Sequence, residues 1–432
     1  MAAMLKLLRP GLHVKRWFLV LLVGMVVVSL GIAFALTDAY RTVVVPSWVS
    51  AATLQFMPLL MRAAIFLVLG AGLCVIGVLG LYRSLTAVLP ANSPSLLERI
   101  YEFRVRQGGP RIVCIGGGTG MPTVLRGLKH HSANITAVVT VGDDGGSSGR
   151  LRREHGILPP GDFRNNIVAL AEVEPLMARL FQYRFGEGSA LGGHSFGNLF
   201  VLAMTGITGS FEHALRETSR VLAVQGMILP STLQDVAICA AFSDGSEICG
   251  ESMIPEARKP IERVYLKPEH PAAQPEAVSA ILDADLIVVG PGSLYTSVIP
   301  NLLVEGIAKA LIQSDGLKVY LCNVATQPGE TEGYNVEDHL AAIVRHLPGK
   351  VNPFDVVIAP LHPPAAFSPQ ADVALVTTSP SRMTELRVVL EDVVRADLPL
   401  RHDPEKLASV LLRIYDEERR ARSVNGTVRS AG

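Results

Sequence analysis

Five short apolar runs, each delivered into a polar, mostly glycine- or proline-bearing loop, constrain this chain more than any other feature. RIVCIGGG, NITAVVTVGDDGG, DADLIVVGPGS, LKVYLCNVAT and FDVVIAP read as strands. Their near-continuous apolar character is that of strands buried on both faces. Helical stretches lie between them, among them Pro122–His130, Pro175–Tyr183 and Val304–Gln313. Strands alternating with helices predict an α/β fold, Rossmann-like, with a mostly parallel sheet covered by helices on both faces.

The remaining composition narrows the class. Lysine plus arginine and aspartate plus glutamate are each 39, so the net charge is zero, which argues against a nucleic-acid binder driven by a basic field. With 49% hydrophobic and 18% charged residues the chain is not a charge-swollen disordered one. Five scattered cysteines without a CxxC argue against a disulfide framework or a structural zinc site and fit a reducing compartment. The mean hydropathy of +0.34 is skewed by the first 81 residues. Trp17–Leu36 and Ala63–Leu81 are charge-free runs of 20 and 19 residues, each long enough to span a hydrocarbon core. The first is longer than a signal-peptide core and lacks a clear cleavage site. Lys6, Arg9, Lys15 and Arg16 before it, and Arg83, Arg99, Arg104, Arg106 and Arg111 after the second, place both termini in the cytoplasm. The expectation is a two-span hairpin (1–81) in the cell membrane, a linker (82–110), a cytoplasmic α/β domain (111–415) and a disordered polar tail (416–432). Small residues at Gly70, Ala71, Gly72, Gly77 and Gly80 suit close helix packing and a homodimer contact.

The loops carry the chemistry. Gly116, Gly117, Gly118, Thr119 and Gly120 follow the first strand, and Pro122 opens a helix. Such a turn delivers a nucleotide phosphate to a helix N-terminus. Neither the strict GxGxxG fingerprint nor a P-loop is present, which disfavours an NAD-dependent dehydrogenase. Asp143-Asp144-Gly145-Gly146-Ser147-Ser148 ends the second strand. Its acids suit a ribose contact, a Mg²⁺ ion bridging phosphates, or an Asx turn. Asp162 reads as the N-cap of a helix over 163–172, with Arg164 and Asn165 in its first turn. Arg164 is unfavourable for the helix dipole, which points either to an anionic partner or to a solvated surface arginine. His194, Ser195 and Asn198 open another helix and read as polar contacts or a cap rather than a nucleophile. Gly290, Pro291, Gly292, Ser293, Tyr295 and Thr296, then Asn323 and Gln327, repeat the layout at two further strand ends. Several polar loops on one sheet edge predict a binding cleft.

Taken together, IVCIGGGTGMPTVLRGLK, ITAVVTVGDDGGSSGRLR, PPGDFRNNIVAL, LFQYRF, GHSFGNL, DLIVVGPGSLYTSVIPNLL and CNVATQPGET resemble the YvcK-type gluconeogenesis factors, which are CofD-like and related to the 2-phospho-L-lactate transferases of cofactor F420 synthesis. The resemblance runs from about Arg111 to Arg413. It implies a Rossmann-like fold, recognition of a nucleotide-linked ligand such as UDP-N-acetylglucosamine, and a role in carbon metabolism, cell-wall metabolism and cell shape. Carried over by motif, the loop residues named above line the ligand cleft, joined by Arg401 in Leu400-Arg401-His402-Asp403. The related transferases imply an alternative, Mg²⁺-dependent transfer from a nucleotide donor.

Overall fold

The computed structural model describes residues 105–172, 175–188, 190–361, 373–378 and 386–429, with scattered positions between Met25 and Ile76. Two compact units divide at Val105/Arg106. The expected membrane localisation is corrected: among the described residues no helix is long and apolar enough to cross a membrane. Apolar length is only half of the requirement, since a span must also be one continuous helix. The two apolar runs, their small-residue face and most of the 82–110 linker lie largely outside the described residues.

The unit from Arg106 onward is built on seven strands. β1 (Ile112–Gly116), β2 (Ile135–Val139) and β3 (Met227–Pro230) form one half, and β7 (Leu286–Val289), β8 (Leu317–Leu321), β9 (Val356–Pro360) and β10 (Arg387–Glu391) the other. Their order is β10-β9-β8-β7-β1-β2-β3, and every neighbouring pair is parallel. The chain winds outward from β1 to β3, then restarts on the other side of β1 and winds outward to β10. The β1/β7 boundary, where Ile112 pairs with both Ile135 and Leu286, is therefore the topological switch point. β1, β2, β7 and β9 are buried along their full length, as strands covered on both faces must be.

Helices α1 (Met121–Leu128), α2 (Gly146–His155), α3 (Pro160–Leu170), α4 (Pro175–Gln182), α5 (Phe196–Thr208) and α6 (Phe211–Val221) serve the first half. A three-stranded antiparallel sheet of β4 (Ala237–Phe242), β5 (Glu247–Cys249) and β6 (Ile261–Lys267) follows, with the short α7 (Met253–Glu256) between its last two strands. The second half carries α8 (Pro275–Leu282), a π-helical turn over Leu294–Val298, α9 (Ile299–Leu302), α10 (Glu305–Gln313) and α11 (Val336–His346), and it closes with α12 (Pro404–Arg429).

Four local readings change. The stretch 206–228, helical and apolar in sequence, is broken. Gly209 adopts φ +74° as the α5 C-cap, Ser210 caps α6 through the His213 N–H, and β3 starts at Met227. The helix expected over 163–172 starts earlier, because Pro159-Pro160 supplies an extended residue followed by a proline at the first helical position. Asp162 therefore sits inside the first turn and not at the cap. Cys239 and Cys249 form a disulfide, against the reading of unpaired cysteines. Ten residues apart in sequence, they face each other in register across the β4/β5 hairpin. Finally, α12 continues past Arg419 to Arg429, through the stretch that reads as a tail. Within this continuation Arg422 Nη1 donates to the Asp315 carbonyl at 2.7 Å.

Candidate functional site

The loops leaving β1 and β7 meet at the switch point. Gly120 is the N-cap of α1, and no side chain bonds the first amides of that helix. A Cβ on Gly120 would stand 2.4 Å from the Pro291 carbonyl oxygen, so only glycine lets the two loops close on each other. Gly118 has φ +62°, and its N–H donates to Asp162 Oδ2 at 2.6 Å. Gly116 lies beneath the turn, its carbonyl held by Asn301 Nδ2 at 2.9 Å. From β8, Asn323 brackets Gly292: its Oδ1 accepts the Gly292 N–H at 3.1 Å and its Nδ2 donates to the Gly292 carbonyl at 2.8 Å. Gln327 Nε2 donates to Ser293 Oγ at 2.8 Å, while its buried Oε1 has no partner. Arg401 enters from the segment before α12 and donates to Thr119 Oγ1 at 3.0 Å. Next to it, buried His402 bonds the Cys322 carbonyl at 3.1 Å, and burial pushes its imidazole down to about 4, so it is a neutral anchor.

Between the two turns, Asn323, Gln327 and Arg401 lies an open cleft of about 240 Å³. Its described lining holds one guanidinium, several amide and hydroxyl groups and no carboxylate. With one guanidinium among amide and hydroxyl groups, the cleft is built to receive an anionic or strongly hydrogen-bonding ligand. Of the residues singled out in sequence, Thr119, Gly120, Pro291, Gly292, Ser293, Asn323, Gln327 and Arg401 line it. Tyr295 and Thr296 do not. The Tyr295 hydroxyl bonds Tyr334 at 2.9 Å, and the Thr296 hydroxyl and the Tyr295 N–H hold buried Glu330 at 2.9 and 3.0 Å. Their role is to fix the turn after β7, because a π-helical turn points these side chains inward.

The other residues singled out in sequence form a second polar cluster beside Gly117 and Gly118. Asp162 is its link, and burial pushes its carboxyl up to about 6. The two adjacent aspartates turn to different partners. Asp143 Oδ1 accepts the Gly145 N–H at 3.0 Å, and burial raises its carboxyl. Asp144 Oδ1 accepts the Ser252 N–H and Oγ–H at 3.0 and 2.9 Å. Ser148 Oγ accepts the Gly161 N–H at 3.1 Å, tying α2 to α3. Gly146 opens α2 with φ +46°.

Buried Arg164 donates to Ser195 Oγ and, at 2.9 Å, to Asn165 Oδ1. Burial lowers its guanidinium to about 10. Ser195 is the α5 N-cap, accepting the Asn198 N–H at 3.2 Å. His194 is 3.0 Å from Ser147 Oγ, which also accepts from Asn198 Nδ2 at 2.9 Å. The histidine thus meets a serine 47 residues away rather than its sequence neighbour. Arg164 Nε and Asn198 Oδ1 are buried without partners.

Glu251 escaped the sequence reading. It sits on the turn between β5 and α7, and burial, then the charges of Asp143 and Asp162, push its carboxyl up to about 8. Its only sequence signal was the Gly250-Glu251-Ser252 turn, in a hairpin whose packing over the cluster is not readable from spacing. Among the described residues no group of three or more histidine, cysteine or acidic side chains is arranged to hold a metal ion.

Comparison with known proteins completes the assignment. The family model described as "2-phospho-L-lactate transferase CofD" matches residues 112–418. A protein of Nostoc sp. named "Putative gluconeogenesis factor" is 46% identical over 421 residues, 95% of this chain and 92% of that protein. The "Gluconeogenesis factor" of Bacillus subtilis is 45% identical over 315 residues, 71% of this chain and 99% of that protein. A crystal structure of a UPF0052-family protein from Bacillus halodurans superposes with a TM-score of 0.65 at 44% identity, covering 70% of this chain and 99% of that one. The chain belongs to the CofD family, alongside the relatives named gluconeogenesis factors.

Proposed function

We propose that this protein binds a nucleotide-linked ligand, a UDP-sugar such as UDP-N-acetylglucosamine, in the cleft at the β1/β7 switch point, and that it acts as a gluconeogenesis factor coupling that ligand to central carbon metabolism, cell-wall metabolism and cell shape. One observation carries the reading: a cleft between two glycine turns, with no carboxylate in its described lining, that presents Arg401 and the polar side chains of Thr119, Thr123, Ser293 and Asn323 to one ligand. A guanidinium with surrounding hydroxyl and amide groups suits a diphosphate, and the same hydroxyls and amides suit the polar groups of a sugar or base.

The family description names a transferase, which keeps a Mg²⁺-dependent transfer as the alternative. The acids present do not fit a preformed Mg²⁺ site. Asp143 and Asp144 are turned to separate partners and make no three-ligand set with neighbouring acids.

A thermal-shift panel of UDP-N-acetylglucosamine, GTP and NAD on the full chain tests the reading. A ligand at a hundred times its dissociation constant adds about 2.7 kcal/mol of stability. The expected result is a shift with the UDP-sugar, unchanged by chelator. A shift with NAD alone, or one that requires Mg²⁺, overturns it.

A further inference from the structure

A second depression opens on the other side of Thr119. It lies between α1, α3 and α4, has a volume of about 580 Å³, and shares Thr119 with the switch-point cleft. Pro122, Val168 and Ala178 give it an apolar wall. Arg126 and Lys129 from α1 and Arg179 from α4 bring three cations to it, and none of its described lining residues is acidic. The nearby acid, Glu172, is already paired with Arg106. Lys129 Nζ is spent on the Ala171 carbonyl at 2.9 Å. Arg126 and Arg179, both exposed, have neither ionic nor hydrogen-bond partners among the described residues.

Helix-dipole stabilisation alone explains a basic residue in the last turn of α1 or of α4. It does not explain why the two elements aim their cations into one apolar-walled hollow. An anion seated there would give both arginines the partner that the described residues do not. The amide of Asn165 adds to the hollow, its Oδ1 already accepting from Arg164. We infer that this hollow is a second binding site, for a small organic anion with a compact apolar body and a phosphate, gripped by the Arg126 and Arg179 guanidinium groups. Its position beside Thr119 puts such an anion within reach of whatever occupies the cleft.

Phenyl phosphate is the probe, titrated calorimetrically onto the full chain, first alone and then with the cleft saturated by UDP. The expected result is binding under both conditions. R126Q and R179Q should each weaken it, and the pair should do so about tenfold or more. UDP affinity should change by less than about twofold, because the two arginines lie outside the cleft. Neither arginine makes a described bond, so both variants should melt with the wild type. Three outcomes overturn the inference: no phenyl phosphate binding at millimolar concentration, full displacement by UDP, or equal affinity in the double variant. The arm without UDP decides the question even if the chain does not bind UDP, in which case only the nucleotide reading fails.

Discussion

Replacing Glu251 by glutamine should stabilise the protein at alkaline pH and leave it nearly unchanged in acid. Glu251 has no hydrogen-bond partner among the described residues, and Asp143 and Asp162 oppose its charge. Its carboxyl is pushed up to about 8 from an ordinary value of 4.5. The fold therefore favours the neutral form. That contribution is fully present below the unfolded value and is lost as pH rises through the folded one. Over this interval 1.36 kcal/mol per pH unit gives an upper bound of about 5 kcal/mol. Glu251 keeps partial contact with solvent, which screens it, so about 2–3 kcal/mol is the difference expected at pH above 8. Glutamine keeps the shape and cannot ionise. Urea unfolding of both proteins in steps across the interval reads the effect directly. The two stability curves should meet near the unfolded carboxyl value and diverge upward, with the variant above. Parallel curves would refute the reasoning, because they would mean that Glu251 ionises freely in the fold.

Gly120→Ala should be destabilising by about 1–3 kcal/mol and should open the cleft, because its new methyl would meet the Pro291 carbonyl at 2.4 Å; denaturant melts and UDP-sugar titration check both effects. Arg401→Lys keeps the charge but loses the planar donor set that reaches Thr119, so ligand affinity should fall about tenfold with the melting temperature little changed; calorimetry reads this, and unchanged affinity removes Arg401 from the site. Reducing Cys239–Cys249, a closure across ten residues, should lower stability by about 2–3 kcal/mol, measured by unfolding with and without reductant. Asp162→Asn should retain the bond from the Gly118 amide while removing any change in ligand affinity between about pH 4 and pH 6, measured by titration across that range.

The sequence by itself determined the parallel sheet and where its edge lies. The five apolar runs correspond to β1, β2, β7, β8 and β9, because strands buried on both faces must be apolar throughout. The glycine turns at Gly116–Gly120 and Gly290–Gly292 were equally legible, since local backbone demands select glycine whatever surrounds them. β3 and β10 were not: both lie at the sheet edges, β10 nowhere fully buried and β3 continuous in sequence with the helical, apolar stretch before it. Apolar length near the N-terminus suggested membrane spans, a property that composition alone cannot establish.

Only the tertiary structure decided how the polar loops divide. The same types of residue appear in every loop, yet those leaving β1, β7 and β8 meet Arg401 at one cleft, while Asp143, Arg164, His194 and Ser195 gather in another cluster. The Ser147–His194 contact spans 47 residues and the Thr119–Arg401 bond 282. Pairings over such separations depend on strand order and helix placement, which put distant loops on one edge of the sheet. The same holds for Glu251, an ordinary acid in sequence, which is held neutral because a hairpin buries it and sets it against the charges of Asp143 and Asp162.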